Sequence, residues 1–423
     1  MKIQRVELAS FRGLKHANLL LDPNFNVLIG VNGIGKTSVL DAIAVLLSRV
    51  LPRTTPAKTG YRRFQSSDLR SGSPALTARL RLQFGDLPLE YGMTESFGPV
   101  RTLTEDRARR RFRPIIEFYD SRNEDSTIGV PIALYYTTDR AAFRLLRKSL
   151  KAAPAGRAAA YHGALRDKTV NYRSFVTWLR TRQALAEERP QDRRILEVVQ
   201  SALSRFLPVF ARLEGQENPP RLFVSKRGVR LGIEQLSDGE RSFVGVIIDL
   251  ARHLAHANPG ADDPLSDGEG VILIDELELH LHPKWQRSVV QHLQKTFPSL
   301  QFITTTHSPF VVQSLKPGQL IDLDPEAFAA EYSDKSIEDI SEQVMGVNLP
   351  QKSERYQQMM AAAETYFRLL RTATPQTQTE LEGLKRELDA LAEPFSDDPA
   401  YMALLRVERE TWLGGRGLNA PGI

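Results

Sequence analysis

Cysteine is absent from all 423 residues, which excludes disulfides, thiolate zinc sites and a cysteine nucleophile together. Long apolar runs are missing too. The longest, near Val244–Leu250, is broken by Asp249, whereas a bilayer-spanning helix needs about 18–20 apolar residues. The opening MKIQRVELAS carries charges every few positions and no apolar core. A cytoplasmic protein with no membrane partner is therefore expected. G-x-S-x-G, H-E-x-x-H and internal repeats do not occur. What is present is the profile of a folded globular chain, 41% hydrophobic and 25% charged. Its length allows two or three domains at ~100–200 residues each.

Net charge is a modest +5, but it is unevenly spread. Between Glu105 and Gln235 there are 26 Lys and Arg against 15 Asp and Glu; the rest of the chain holds 30 against 36. A basic segment in a mildly acidic body suggests a surface for a polyanion such as nucleic acid. A solvated helical face is the alternative. The densest basic cluster is Arg107, Arg109, Arg110 and Arg111.

Lys2–Ala9 reads as a short edge strand, Ala17–Leu21 as a second, and the continuous apolar run in NFNVLIG as a buried parallel strand. GVNGIGKTS follows, then the helical periodicity of VLDAIAVLL. LTARLRLQFGD alternates as a strand, and IIEFYD and IALYYTTDR read as two more. From Ala141 to about Leu213 the pattern is helical, divided by prolines. RLFVSKRGVRLGI returns to β structure, and EQLSDGERSFVGVIIDLARHLA reads as a loop entering a helix. The apolar strands GVILIDE and QFITTTHSPF come next, and amphipathic helices such as ELEGLKRELDAL close the chain. Strand–loop–helix units flanking a helical insert imply an α/β sheet interrupted by an arm.

Gly30–Thr37 matches G-x-x-x-x-G-K-[ST] without a gap. A chance match is on the order of one in a hundred from average glycine usage, and its place between an apolar strand and a helix favours a phosphate loop. Glycines let backbone N–H groups approach phosphate oxygens, Lys36 would bridge the β- and γ-phosphates, and Thr37 would ligate Mg²⁺. Gly30, Asn32, Gly33, Gly35, Lys36, Thr37 and Ser38 are the candidate nucleotide contacts. Such a loop needs an acidic metal partner, and Asp275 ends VILID where that partner belongs. Glu276 beside it is the candidate base for the attacking water. His307 closes FITTTHS as a candidate γ-phosphate sensor, against the plainer reading of a strand-end histidine. In QLSDGERS, Ser237 and Gly239 at a helix N-terminus could hold an anion, or Ser237 and Glu240 could form a helix cap. His280 and His282 form an H-x-H without further ligands, so a structural role is expected of them.

These motifs, in this order, resemble those of ABC-type ATPases. The versions IDELELHLHPKWQ and QFITTTHSP resemble the SMC/RecF/OLD-like branch, over residues 1–50 and 220–315. The resemblance implies an α/β P-loop NTPase head with a helical insertion arm and a C-terminal helical appendage. It divides the chain into head lobes at 1–104 and 236–322, a basic insertion at 105–235 and an appendage at 323–423. It implies ATP and Mg²⁺ held between two heads of a homodimer or higher homo-oligomer, with Ser237 reaching the γ-phosphate across the interface. Leu277–His282 would communicate between the two sites, and Phe11 and Arg12 would lie near the nucleotide. One departure is the glutamine that usually ligates Mg²⁺: YYTTDR stands in its place with Thr and Asp. The compact head with a basic arm resembles ATPase subunits of Septu-like or retron-associated anti-phage systems, which implies DNA and an HNH-type endonuclease as partners. The alternative is a RecF-like ATPase of DNA repair or recombination.

Overall fold

The computed structural model describes residues 1–55, 62–98, 101–105, 109–124, 129–141, 156–165, 172–216, 219, 221–324, 335–343, 354–371 and 378–392. The chain forms two compact units, Met1–Ile340 and Ser341–Ile423. Strands in chain order are β1 (Lys2–Phe11), β2 (Leu14–Leu20), β3 (Phe25–Ile29), β4 (Leu76–Phe84), β5 (Leu87–Phe97), β6 (Arg101–Glu105) and β7 (Ile132–Tyr136). They continue with β8 (Phe210–Gln216), β9 (Arg221–Lys226), β10 (Val229–Gly232), β11 (Gly270–Ile274), β12 (Leu300–Thr305) and β13 (Leu320–Asp322). The principal helices are α1 (Lys36–Thr54), α2 (Arg109–Glu124), α3 (Tyr172–Leu185), α4 (Pro190–Phe206) and α5 (Asp238–Ala257).

The site is built on a parallel sheet in the order β13-β3-β12-β11-β7. Every residue of β3, β7, β11 and β12 is buried, which is why these segments read as continuous apolar runs rather than alternating ones. Parallel pairing brings the carboxyl ends of all five strands to one edge, where α/β sheets bind their ligands. The phosphate loop leaves β3, Asp275 leaves β11 and His307 follows β12, with β12 lying between the other two.

A second, antiparallel sheet has the order β2-β1-β4-β5-β6. Its strands alternate, as Leu76, Ala78, Leu80, Leu82 and Phe84 of β4 are buried while Arg79 and Arg81 are exposed. Helix α1 touches β1, β4 and β5 of this sheet and β11 and β12 of the parallel one. Covered on both sides, its middle, 39–47, is apolar all round but for Asp41, as a buried helical stretch must be. Burying each of its Leu, Ile and Val side chains contributes roughly 1.5–3 kcal/mol, so the helix that carries Lys36 and Thr37 is firmly anchored.

Two local expectations are corrected. Lys2–Ala9 is not an edge: β1 lies between β2 and β4, because β4 returns from some 70 residues away, a pairing invisible to local pattern. IIEFYD is not a strand but part of α2. Phe112, Ile115 and Tyr119 are buried at helical spacing, and the rings of Phe112 and Tyr119 meet Tyr91 of β5 and Phe84 of β4.

The span 105–235 contributes β7 to the parallel sheet, α3 and α4, and a three-stranded sheet β10-β9-β8. The β9–β10 hairpin turns at Arg227 and Gly228, both with positive φ, the geometry of the two-residue turns that suit strand twist. Of the basic cluster, Arg107 lies outside the described residues and only the backbone of Arg109, Arg110 and Arg111 is described. In the second unit, helices Glu354–Arg371 and Gln378–Ala392 pack through Met359, Tyr366, Phe367, Leu370 and Leu388. Among the described residues no helix is long and apolar enough to cross a membrane.

Candidate functional site: a phosphate loop facing paired carboxylates

Gly30, Gly33 and Gly35 have φ of 135°, 86° and 114°, values that side chains rarely tolerate. Gly35 is the N-cap residue of α1, so the loop ends with backbone N–H groups and the positive end of a helix dipole directed outward. Lys36 is 7% exposed, and its Nζ donates to the Gly30 carbonyl at 2.6 Å and the Val31 carbonyl at 3.3 Å. Burial pushes its ammonium below the usual value, while Asp275, Glu278, Glu276 and Asp322 pull it back. Asn32, Gly33 and Thr37 are exposed; Ser38 is buried.

Thr37 donates its hydroxyl to Asp275, with Oδ1 at 3.1 Å and Oδ2 at 3.0 Å. Asp275 is 4% exposed and also accepts the Thr305 hydroxyl at 2.7 Å. The Asp275 N–H donates to the Tyr136 carbonyl at 2.9 Å, so Thr137 occupies the strand end beside it, where the motif order expects glutamine. Glu276 follows with φ of 49°, a left-handed conformation that costs a non-glycine residue roughly 1–3 kcal/mol. Its N–H donates to Thr305 Oγ1 at 2.7 Å. His307 is exposed, and its N–H donates to Glu278 Oε1 at 2.6 Å.

Mg²⁺ takes few protein ligands and keeps waters and phosphate oxygens. A hydroxyl and a carboxylate in contact, beside a loop of free backbone donors, fit that donor set. Thr37 and Asp275 are the residues that would hold the ion.

Arg12, on the turn between β1 and β2, reaches α1. Its Nη1 donates to Asp41 Oδ2 at 2.8 Å and to Ser38 Oγ at 3.4 Å, and its Nε to Asp68 Oδ1 at 2.8 Å. Burial opposes its charge, but the bonds to Asp41 and Asp68 outweigh that and raise its pKa. The expected nucleotide neighbour is thus tied to the back of the phosphate-loop helix, stacked over Phe11 at 5.3 Å.

Ser237 is exposed and caps α5: its Oγ accepts the Glu240 N–H at 3.3 Å, and Glu240 Oε2 accepts the Ser237 N–H at 3.4 Å. Lys226 of β9 holds Glu240 Oε1 at 2.6 Å. The structure shows the capping reading of QLSDGERS. Gly239 is required here, because a Cβ would lie 2.3 Å from the His280 carbonyl oxygen. His282 accepts the Lys284 N–H through Nδ1 at 3.2 Å, a capping role. No cluster of three or more His, Asp or Glu placed for a metal occurs among the described residues. Tyr135 and Tyr136 are fully buried, so they are core residues and not base-stacking platforms. No motif marks Thr305, Glu278 or Asp41, since their roles depend on contacts between elements far apart in the chain.

The family described as "AAA domain, putative AbiEii toxin, Type IV TA system" matches residues 25–313, from the start of β3 to just past His307. The chain belongs to this AAA family. It is 26% identical to the "Retron Ec83 probable ATPase" of Escherichia coli, over 74% of this chain and 70% of that protein. It is 33% identical to the "Septu protein PtuA" of Bacillus thuringiensis, over 30% of this chain and 35% of that one. A stretch is 50% identical to the "DNA replication and repair protein RecF" of Salmonella typhi, over 11% of this chain and 13% of that protein. The likeness read from the motifs holds. This AAA-family chain therefore has a probable ATPase of a retron and a Septu protein among its relatives.

Proposed function

We propose that this chain hydrolyses ATP with Mg²⁺ between paired heads and uses that cycle to control a partner effector nuclease in anti-phage defence. The observation that carries the ATPase part is the contact of Thr37 with Asp275, beside a glycine loop that presents Lys36 and backbone donors. Lys36 and the loop N–H groups hold the phosphates and Thr37 and Asp275 the metal ion, which supplies charge neutralisation when bound. Glu276 accepts a proton from the attacking water, and His307 holds the terminal phosphate. Ser237 and Gly239 complete a second protomer's site. Arg12 supports the loop through Ser38 and Asp41.

The defence reading rests on similarity over most of the chain to a retron ATPase and on a shorter likeness to a Septu protein. A RecF-like repair role has only a short match behind it. By the same reading the effector is an HNH-type endonuclease, the protein acts in the cytoplasm, and the basic segment 105–235, outside the buried strand β7, engages DNA.

Two experiments test this reading. Purification from the native operon should recover an HNH-type nuclease with the ATPase, and its absence from the operon would contradict the effector role. DNA affinity should fall steeply with salt through counterion release. Changing Arg107, Arg109, Arg110 and Arg111 to Ser should flatten the log–log slope by up to about four units. An unchanged slope removes the cluster from DNA binding.

A further inference from the structure

Two side chains at this site have no role in the proposed reaction, Thr305 and Glu278. Both join the end of β12 to the segment that leaves β11. A threonine hydroxyl can donate one hydrogen bond and accept others, and the buried Thr305 does both. It donates to Asp275 Oδ1 at 2.7 Å and accepts the Glu276 N–H at 2.7 Å. One hydroxyl thereby sets the orientation of one carboxylate and the backbone of the next.

Glu278 acts one rung further on. Its Oε2 accepts the Thr306 hydroxyl at 2.7 Å, and its Oε1 accepts the His307 N–H at 2.6 Å. A main-chain bond from Leu277 N–H to the Thr305 carbonyl, 2.8 Å, lies between the two. Charged acceptors make the stronger hydrogen bonds, so His307 is held to the carboxylate segment rather than left on a free strand end. The left-handed turn at Glu276 also needs such support, since strained backbone persists only where its surroundings over-determine it.

We propose that Thr305 and Glu278 are positioning residues. Thr305 aims Asp275 at Thr37 and fixes the backbone of Glu276; Glu278 locks His307 to the same segment. Both act through the residues assigned to metal, water and phosphate. The inference rests on the ATPase reading of Asp275, Glu276 and His307 and assigns the groups that hold them.

The two residues have separable effects. Loss of the Thr305 hydroxyl releases the metal-ligating carboxylate, so the Mg²⁺ requirement should rise. Loss of the Glu278 carboxylate releases His307, so turnover should fall at an unchanged Mg²⁺ requirement. Removing partners that orient metal ligands costs about 10- to 100-fold in affinity or activity.

The test compares full-length wild type, Thr305→Val, Thr305→Ser and Glu278→Gln. ATP binding is followed by calorimetry across a Mg²⁺ titration, and phosphate release is measured in parallel. Thr305→Val keeps the shape without the hydroxyl. It should raise the Mg²⁺ needed for half-maximal binding about 10-fold and lower kcat about 10- to 100-fold, with Ser restoring both. Glu278→Gln keeps one acceptor and turns an amide N–H₂ toward the other donor. It should lower kcat about 10-fold or more with the KM for ATP unchanged.

Wild-type behaviour of Thr305→Val would overturn the assignment, as would a loss that Ser does not restore. If the valine variant fails to fold, wild-type turnover in the partly exposed Glu278→Gln overturns it. Absence of phosphate release from wild type would overturn the ATPase reading instead, and the Mg²⁺ titration of ATP binding would still decide Thr305.

Discussion

The Thr37 hydroxyl lies 3.0 Å from Asp275 Oδ2, across 238 residues of chain. Two strands, β3 and β11, bring them together with β12 between, so the contact depends on the order of the sheet and not on either motif alone. Everything proposed for catalysis follows from that closure.

If the site is completed in trans, Ser237→Arg should abolish phosphate release while leaving ATP binding by isolated heads within about two-fold. Mixing it with Lys36→Ala should return part of the activity, because one interface of a mixed dimer then pairs an intact loop with an intact Ser237. Absence of recovery where subunit exchange is demonstrated would contradict trans completion.

Much of this site was legible in the sequence. Gly30–Thr37, Asp275, Glu276 and His307 all follow strands that are buried throughout, and the structure brings their backbones to one edge of one sheet. Burial on both faces writes such strands plainly. The antiparallel sheet was harder. No local signal marks β5 or puts β1 inside the sheet, because strand partners are set by long-range pairing. IIEFYD in α2 is rich in β-favouring residues, while the buried contacts of the helix fall at helical spacing. Thr305 and Glu278 were invisible for a different reason, since their meaning lies in what they face across two strands.

Gly239→Ala separates packing from helix propensity. In open space, alanine within α5 would stabilise by up to about 1 kcal/mol. Here the new Cβ would meet the His280 carbonyl oxygen at 2.3 Å and its carbon at 3.0 Å, both backbone atoms. Overpacking of this kind costs about 1–3 kcal/mol. Urea denaturation should show destabilisation; a gain in stability would contradict the close approach of the Ser237 segment to Leu277–His282.

His256, in the last turn of α5, gives a pH signature. Burial lowers its pKa from 6.5 to about 3, helped by Arg252, Arg182 and His253. The unfolded chain therefore takes up the proton first. This group leaves stability untouched above pH 6.5 and removes it progressively as pH falls toward 3. The slope is at most about 1.4 kcal/mol per pH unit. His256→Gln should flatten the decline in thermal stability below pH 6.5. An unchanged pH profile in the variant would show that His256 is not held neutral.

The most direct test of the account is steady-state phosphate release and ATP retention by wild type, Lys36→Ala and Glu276→Gln under saturating Mg²⁺. Lys36→Ala should lose ATP binding itself, through a charge-assisted contact of about 1.5–3 kcal/mol. Glu276→Gln should bind ATP as wild type does, turn it over about 100-fold or more slowly, and accumulate as an ATP-bound pair of heads. Phosphate release by Glu276→Gln close to the wild-type rate would contradict the assignment of the base, and with it the proposed chemistry of the site.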